Sequence, residues 1–242
     1  MGQEFESSQR HHSKRGIIEI TMTVKLISHS QVPKEGFIGI DTAQDLIAYC
    51  ARVSNPSNQL NRDTAEKLVR YLIKHKHWSP LEMVSACIEI ETTRDIGRQI
   101  LRHRSFSFQE FSQRYADPTK DLEFVTREAR LQDEKNRQNS VEIDDPKLQE
   151  EWDTLQEMVI EDARSAYNWA ISKGIAKEQA RAVLPEGLTM SRMYMNGTLR
   201  SWVHFIELRS GHGTQKEHME IARECAVAIA PIFPMIQEFV NE

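Results

Sequence analysis

"LEMVSACIEIETTRDIGRQILRHRS", residues 81–105, is where two periodicities meet, and the change from one to the other sets the fold class. Up to Glu91 the chain alternates: Ile88 and Ile90 stand opposite Glu89 and Glu91, the period-two pattern of a strand with one buried face. A strand is therefore expected over 81–91. Beyond Thr92 the period lengthens. Arg94, Arg98 and Arg102 recur at every fourth position, which places them along one side of a helix and predicts a basic ridge. Residues 105–108 then alternate Ser and Phe, so an extended piece would turn its hydroxyls one way and its rings the other.

The rest of the chain is read in the same way. Residues 23–28 are an expected strand, and "DTAQDLIAYCARVS" (41–54) a helix opened by Asp41 or Thr42 with Asp45 in its first turn. "NPSN" breaks the chain. A second helix starts near Asp63, with Glu66 three residues on; its Leu68, Val69, Leu72 and Ile73 recur at helical spacing, and it ends before Pro80. Between Glu128 and Asp145 large apolar residues are nearly absent, which predicts an exposed, mobile excursion. A long helix runs from Pro146 to Lys173 and stops at Gly174, and a short one covers 177–184. "TMSRMYMNG" (189–197) reads as a strand leading to a turn, followed by a helix over 198–209. Thr214 with Glu217 matches a capping box for a last helix, which Pro231 and Pro234 kink or break. The sum is α+β: a helix-rich single domain over 22–242 with a small mixed or antiparallel sheet, its strand–helix alternation too sparse for a doubly wound parallel sheet.

Composition narrows the function classes. The chain has 242 residues, 39% hydrophobic and 28% charged, and no apolar run approaches the ~20 residues a membrane-spanning helix needs. A net charge of −5 argues against a protein that coats nucleic acid. Cys50, Cys87 and Cys225 are odd in number and lack CxxC spacing, which fits a reducing cytoplasm and core packing. Residues 1–21 are polar and read as a disordered extension. Met22 directly before "TVKLISHS" leaves open an upstream start or a cloning remnant.

No GxGxxG follows a strand and no GxxxxGK[ST] is present, so any phosphate has to be held by side chains. Arginine suits that task, because its planar fork meets phosphate oxygens in pairs and keeps its charge when desolvated. The candidates are Arg102, Arg104, Arg114, Arg181 and Arg209. A basic tripeptide is more often a solvated face, but Gln99, Gln109, Glu110, Ser112 and Gln113 add donors and acceptors suited to the edge of a heterocycle. His75 and His77 are two apart at a helix end and do not share a face; with no HExxH, no metal site is expected. Trp78, Trp152, Trp169 and Trp202 are expected as core or interface anchors. GxSxG is absent and no nucleophile announces itself. A competing reading is a single-strand-binding module, with the arginine ridge on the backbone and Phe106 and Phe108 as stacking platforms.

Arg102, His103 and Arg104, followed after seven residues by Ser112, make the RHR-x7-S block, and the chain resembles the flavin-dependent thymidylate synthase family. "ARVS" (51–54), "HKHWSPLEM" (75–83), "ARAVLP" (180–185), "LRSW" (199–202) and "ELRSGHGTQKE" (207–217) look like the family's other blocks in order. The resemblance implies conversion of dUMP to dTMP, with carbon from 5,10-methylenetetrahydrofolate and reducing equivalents from NADPH through tightly bound FAD, without an enzyme cysteine nucleophile. It also implies a cytoplasmic homotetramer with shared active sites, acting on small molecules and not on nucleic acid or membranes. By similarity, Gln99, Arg102, Glu110, Phe111, Ser112, Gln113, Arg114, Arg181 and Arg209 match positions that bind dUMP. Ser54, Ser79, Arg102, His103, Arg104, Glu110, Thr198, Arg200 and His204 match positions at FAD. Arg209 matches the catalytic residue credited with favouring ionisation at N3 of uracil, and His77 a histidine that helps place folate or NADPH. The chain departs from some relatives at Met83, where they carry His, and at Thr198 and His204, where they carry Asn.

Overall fold

Residues 22–33 and 39–241 are described by the computed structural model; the expected extension over 1–21 lies outside the described residues. In chain order the elements are β1 (Thr23–His29), α1 (Ala43–Ala51), α2 (Ala65–Lys74), β2 (Ser85–Thr93), α3 (Arg94–Ile100), β3 (Ser107–Glu110) and the single turn α4 (Pro118–Asp121). There follow β4 (Arg130–Gln132), β5 (Ser140–Glu142), α5 (Pro146–Ser172), the single turn α6 (Lys177–Ala180), β6 (Met190–Thr198), α7 (Leu199–Arg209) and α8 (Lys216–Ile229). The fold is α+β, with an antiparallel sheet in the order β1-β2-β6-β3 and a separate β4-β5 hairpin.

The alternation around Ile88 does make a strand, but it starts at Ser85. Residues Ser79–Met83 wind into a 3-10 turn instead, because Pro80 has no N–H to give a ladder and its φ suits a first helical turn. β2 is central: Thr23 of β1 lies opposite Glu91, and Ser85 and Thr93 lie opposite Thr198 and Met190 of β6. One face carries charge, with Lys25 3.6 Å from Glu89 and Thr23 Oγ1 and Arg192 Nε donating to Glu91 at 2.8 and 2.6 Å. The other face buries Ile88, Ile90, Met193 and Met195 against Trp202 and Phe205 of α7, Ile221 and Cys225 of α8, and Phe233. Trp202 keeps its indole N–H satisfied there by donating to the Ala86 carbonyl at 3.1 Å.

Two strands run straight into helices. Arg94 follows Thr93 without a linker, and Leu199 follows Thr198, whose hydroxyl accepts from Ser201 N at 3.3 Å. The turn expected after Asn196-Gly197 is therefore absent: Gly197 stays in the ladder opposite Ala86, and its missing Cβ leaves room for the Phe106 ring. The N-terminal box of α1 forms as expected between Thr42 and Asp45. The one expected at Thr214 does not, since α8 starts at Lys216 and the Glu217 carboxylate is drawn to Arg130. The excursion over 128–145 is a hairpin pinned to α8, with Lys216 Nζ 2.8 Å from Glu128 and 2.5 Å from Glu142. Of the tryptophans, Trp202 is core, whereas Trp152 and Trp169 are 41% and 60% exposed on α5. No helix among the described residues is long and apolar enough to cross a membrane.

Candidate active site

α7 organises the site, and residues 102–105 form a strap laid along it. α3 ends at Ile100, so the N–H groups of Arg102 and His103 close its last turn on the Gln99 and Ile100 carbonyls at 3.3 and 3.0 Å. His103 then turns inward, edge-on to Phe205 with ring centroids 4.9 Å apart, and its Nε2 accepts from Arg209 Nε at 3.0 Å. Arg102 and Arg104 face outward. The far end of the strap is tied by Ser201 Oγ, which donates to the Ser105 carbonyl at 3.2 Å, and Phe106 locks it into the core beside Trp202 at 4.7 Å.

The expected ridge does not survive folding. Pairing of β3 with β6 brings Glu110 back over α3, where Arg98 donates to it at 3.2 Å and the buried Arg94 lies 3.6 Å away; Ser191 Oγ donates at 3.1 Å. With Arg94 and Arg98 neutralised and Phe106 buried, the single-strand-binding reading loses its ridge and one of its platforms.

Burial, reinforced by the Arg209 guanidinium, pushes the His103 imidazole down to about 4. His103 is thus neutral near pH 7 and accepts the hydrogen bond, leaving Arg209 as the only charge of the pair. Behind it lies a group that sequence reasoning missed. Gln99 Nε2 donates to Gln215 Oε1 at 2.7 Å, and Gln99 Oε1 lies 3.2 Å from Nδ1 of His218, which is fully buried. Burial, then Arg209 and His103, push His218 down to about 3. Its signal was in the sequence: His218 opens the stripe that continues through Ile221, Ala222, Cys225, Ala226 and Ile229 on the buried face of α8.

The other residues matched by similarity fall in two places. Phe111 extends the β3 pairing through its N–H to the Arg192 carbonyl at 2.8 Å, Ser112 Oγ accepts from Arg114 N at 3.4 Å, and Arg114 stacks 5.4 Å from the Tyr115 ring centre. Gln113 is buried, and its Nε2 has no partner among the described residues. Arg181 is half-buried just after α6. A second set gathers at the start of α7, about 15 Å along the helix from Arg209. There Thr198 is the cap, Arg200 is ion-paired with Glu82, and the His204 ring is edge-on to Trp78 at 4.6 Å. Ser79 lines, with Val53 and Met83, a cleft of about 560 Å³, and Ser54 stands exposed just beyond α1. His77 is exposed. Contrary to expectation its ring lies 6.2 Å from that of His75, because Lys76 between them takes a left-handed φ of 57°.

The arginines sort by partner. Arg62, Arg70, Arg94, Arg98, Arg127, Arg130, Arg164, Arg192 and Arg200 each face a carboxylate. Arg102, Arg104, Arg114, Arg181 and Arg209 have none within ion-pair distance among the described residues, and neither do Arg52, Arg137 and Arg223; of these last, Arg52 and Arg223 spend their N–H groups on backbone carbonyls. Such guanidiniums can take an anion without first giving up a carboxylate. No group of three or more His, Cys, Asp or Glu side chains among the described residues could hold a metal ion.

Comparisons with known proteins point the same way. The family model described as "thymidylate synthase complementing protein" matches residues 38–235. A probable flavin-dependent thymidylate synthase of Paramecium bursaria Chlorella virus 1 is 48% identical over 220 residues, covering 91% of this chain and 99% of the relative. A flavin-dependent thymidylate synthase of Synechocystis is 48% identical over 193 residues, covering 80% and 87%. Among solved structures, a UMP/dUMP methylase of Streptomyces cacaoi bound with 5-Br UMP superposes with a TM-score of 0.75 at 25% identity, covering 90% of this chain and 93% of that one.

Proposed function

The chain belongs to the thymidylate synthase complementing proteins, the flavin-dependent thymidylate synthases, and on that premise we propose that it methylates dUMP to dTMP. FAD is the flavin, 5,10-methylenetetrahydrofolate the carbon donor and NADPH the reductant. The observation that carries the reading is that Arg102, Arg104, Arg114, Arg181 and Arg209, all in or beside the family's blocks, have no carboxylate partner among the described residues, on a chain of net charge −5. Two anionic ligands need such a set.

Arg114 and Arg181, with Ser112, take the dUMP phosphate, and Gln99, Arg102, Glu110, Phe111 and Gln113 complete the nucleotide site. Arg209 stands at the uracil. Because His103 accepts its Nε–H, the guanidinium is fixed and keeps its full charge, which supports its role in favouring ionisation at N3. The donor set also fits FAD: Arg102 and Arg104 face outward beside His103, Thr198, Arg200 and His204 stand on the first turns of α7, Ser79 lines the cleft beside them, and exposed Ser54 follows Val53 of that cleft in the chain. An anion reaching Arg200 competes there with Glu82. Bound in this groove, FAD supplies the redox chemistry that no side chain here can perform. His77 helps place folate or NADPH. Chemistry without a cysteine nucleophile is supported by all three thiols, which burial pushes up and away from the thiolate.

The protein acts as a cytoplasmic homotetramer with active sites shared between subunits. Support comes from α5, where Trp152, Leu155, Met158, Val159 and Trp169 make an exposed apolar face beside the buried one. Calorimetric titration with dUMP and with FAD tests the site: both bind the wild type, and Arg114→Gln weakens dUMP at least about ten-fold, the scale of one charge-assisted hydrogen bond. A wild type that binds neither ligand refutes the reading.

A further inference from the structure

Behind Gln99 lies a line of hydrogen bonds whose direction is fixed at one end. Arg130, only 10% exposed, donates to the Glu217 carboxylate, which can only accept. Gln215 must therefore turn its amide nitrogen to Glu217, and Nε2 lies 2.9 Å from Oε2. Its oxygen is left facing Gln99, whose Nε2 donates to it at 2.7 Å. Gln99 in turn shows its own oxygen to His218 Nδ1 at 3.2 Å, so the His218 proton resides on Nδ1. Nε2 is then bare, and it is indeed buried with no partner among the described residues. Turning Gln215 over would set its oxygen against the Glu217 carboxylate and its N–H against that of Gln99; turning Gln99 over would set its oxygen against that of Gln215 and would require the His218 proton to leave Nδ1.

We propose that Glu217 fixes the orientation of the Gln99 amide through Gln215, with His218 Nδ1–H holding its other end, so that Gln215, Glu217 and His218 are positioning residues for the nucleotide contact. The proposal rests on the reading of Gln99 as a dUMP ligand. Each end of that amide already spends one hydrogen-bonding capacity inside the protein and keeps one for the ligand, with donor and acceptor on fixed sides. Preorganisation of this kind strengthens binding by removing the cost of selecting one of two amide orientations. Arg130 lies on the β4-β5 hairpin, so the hairpin anchors the far end of the line.

The test uses the full-length protein labelled with ¹⁵N-histidine, the His218 signal being identified by its loss in His218→Asn. In the wild type, nitrogen spectra show His218 as a single Nδ1–H tautomer. In Gln215→Leu, which cuts the line, and in Glu217→Gln, whose amide can donate as well as accept, the tautomers mix. Calorimetry then shows dUMP bound about ten-fold more weakly by Gln215→Leu and two- to five-fold more weakly by Glu217→Gln. Glu217→Gln is isosteric and carries the test alone if Gln215→Leu does not fold. An Nε2–H tautomer in the wild type overturns the proposal, as does unchanged dUMP affinity in a folded variant. A wild type with the Nδ1–H tautomer but no dUMP binding overturns instead the reading of Gln99 as a nucleotide ligand.

Discussion

Gly197→Ala reaches the site through a single steric contact. A Cβ at Gly197 would lie 2.4 and 2.6 Å from Cδ1 and Cε1 of Phe106, where carbons need about 3.5 Å. Gly197 sits in ordinary strand geometry opposite Ala86, so the cost is one of space and not of backbone conformation. The ring has little room to retreat: Trp202 is edge-on at 4.7 Å, Phe205 lies at 6.0 Å and Phe108 at 6.3 Å. Overpacking of this kind costs about 2–3 kcal/mol. At roughly 2–4 °C per kcal/mol for a domain of this size, Tm falls by about 4–12 °C. The displaced ring also pulls on the strap held at Ser201 and Arg209, so dUMP binding weakens with stability. Differential scanning calorimetry on Gly197→Ala, Phe106→Leu and the double variant gives the answer. Leu vacates the ring's space, so the double variant is more stable than the sum of the two losses predicts by about 1 kcal/mol or more. A Tm within about 1 °C of wild type for Gly197→Ala, or full additivity, refutes the steric argument.

Arg209→Met removes the fixed charge while keeping the length of the side chain; kcat/KM falls by roughly a hundred-fold or more, and unchanged turnover would strike out its role. Acid weakens the fold through His218 and His103. Both imidazoles are held below the ordinary value of about 6.5 that they regain on unfolding, so the unfolded chain takes up protons that the folded one refuses. Stability is therefore full above about pH 6.5 and is lost as the pH falls towards 4 and 3. By pH 5, His218 alone costs about 2 kcal/mol, and His103, partly open to solvent, adds less. Chemical denaturation at several pH values checks this, and His218→Asn should flatten the slope. Lys76→Gly relieves the left-handed φ of 57° and raises stability by about 1 kcal/mol in the same assay; a loss would mean that the Lys76 side chain contributes more than its backbone costs.

Much of this architecture could be read before folding, and the failures have physical reasons. The alternation around Ile88 and the Thr42–Asp45 box are local patterns, and both formed. Asn196-Gly197 reads locally as a turn, but the glycine is there for a ring 91 residues earlier in the chain, which only the tertiary fold brings against it. Glu217 has the right spacing to cap α8, yet a buried arginine 87 residues away outcompetes the local bond. The arginine periodicity was genuine as far as Arg98; Glu110, returned by β3 pairing, turned that half of it inward, while Arg102 lay past the end of the helix. The hairpin was illegible because ion pairs to Lys216 and Glu217, not apolar residues, hold it in place. The RHR block pointed to the strap. What it did not reveal was how His103 and Arg209 join, since their hydrogen bond spans 106 residues.

The most direct test of the proposed function is dTMP formation by the purified protein under low oxygen, with dUMP, 5,10-methylenetetrahydrofolate, NADPH and FAD, against mixtures that omit each in turn. dTMP is expected in the complete mixture alone. A complete mixture that yields none, with FAD and dUMP both shown to be bound, would contradict it.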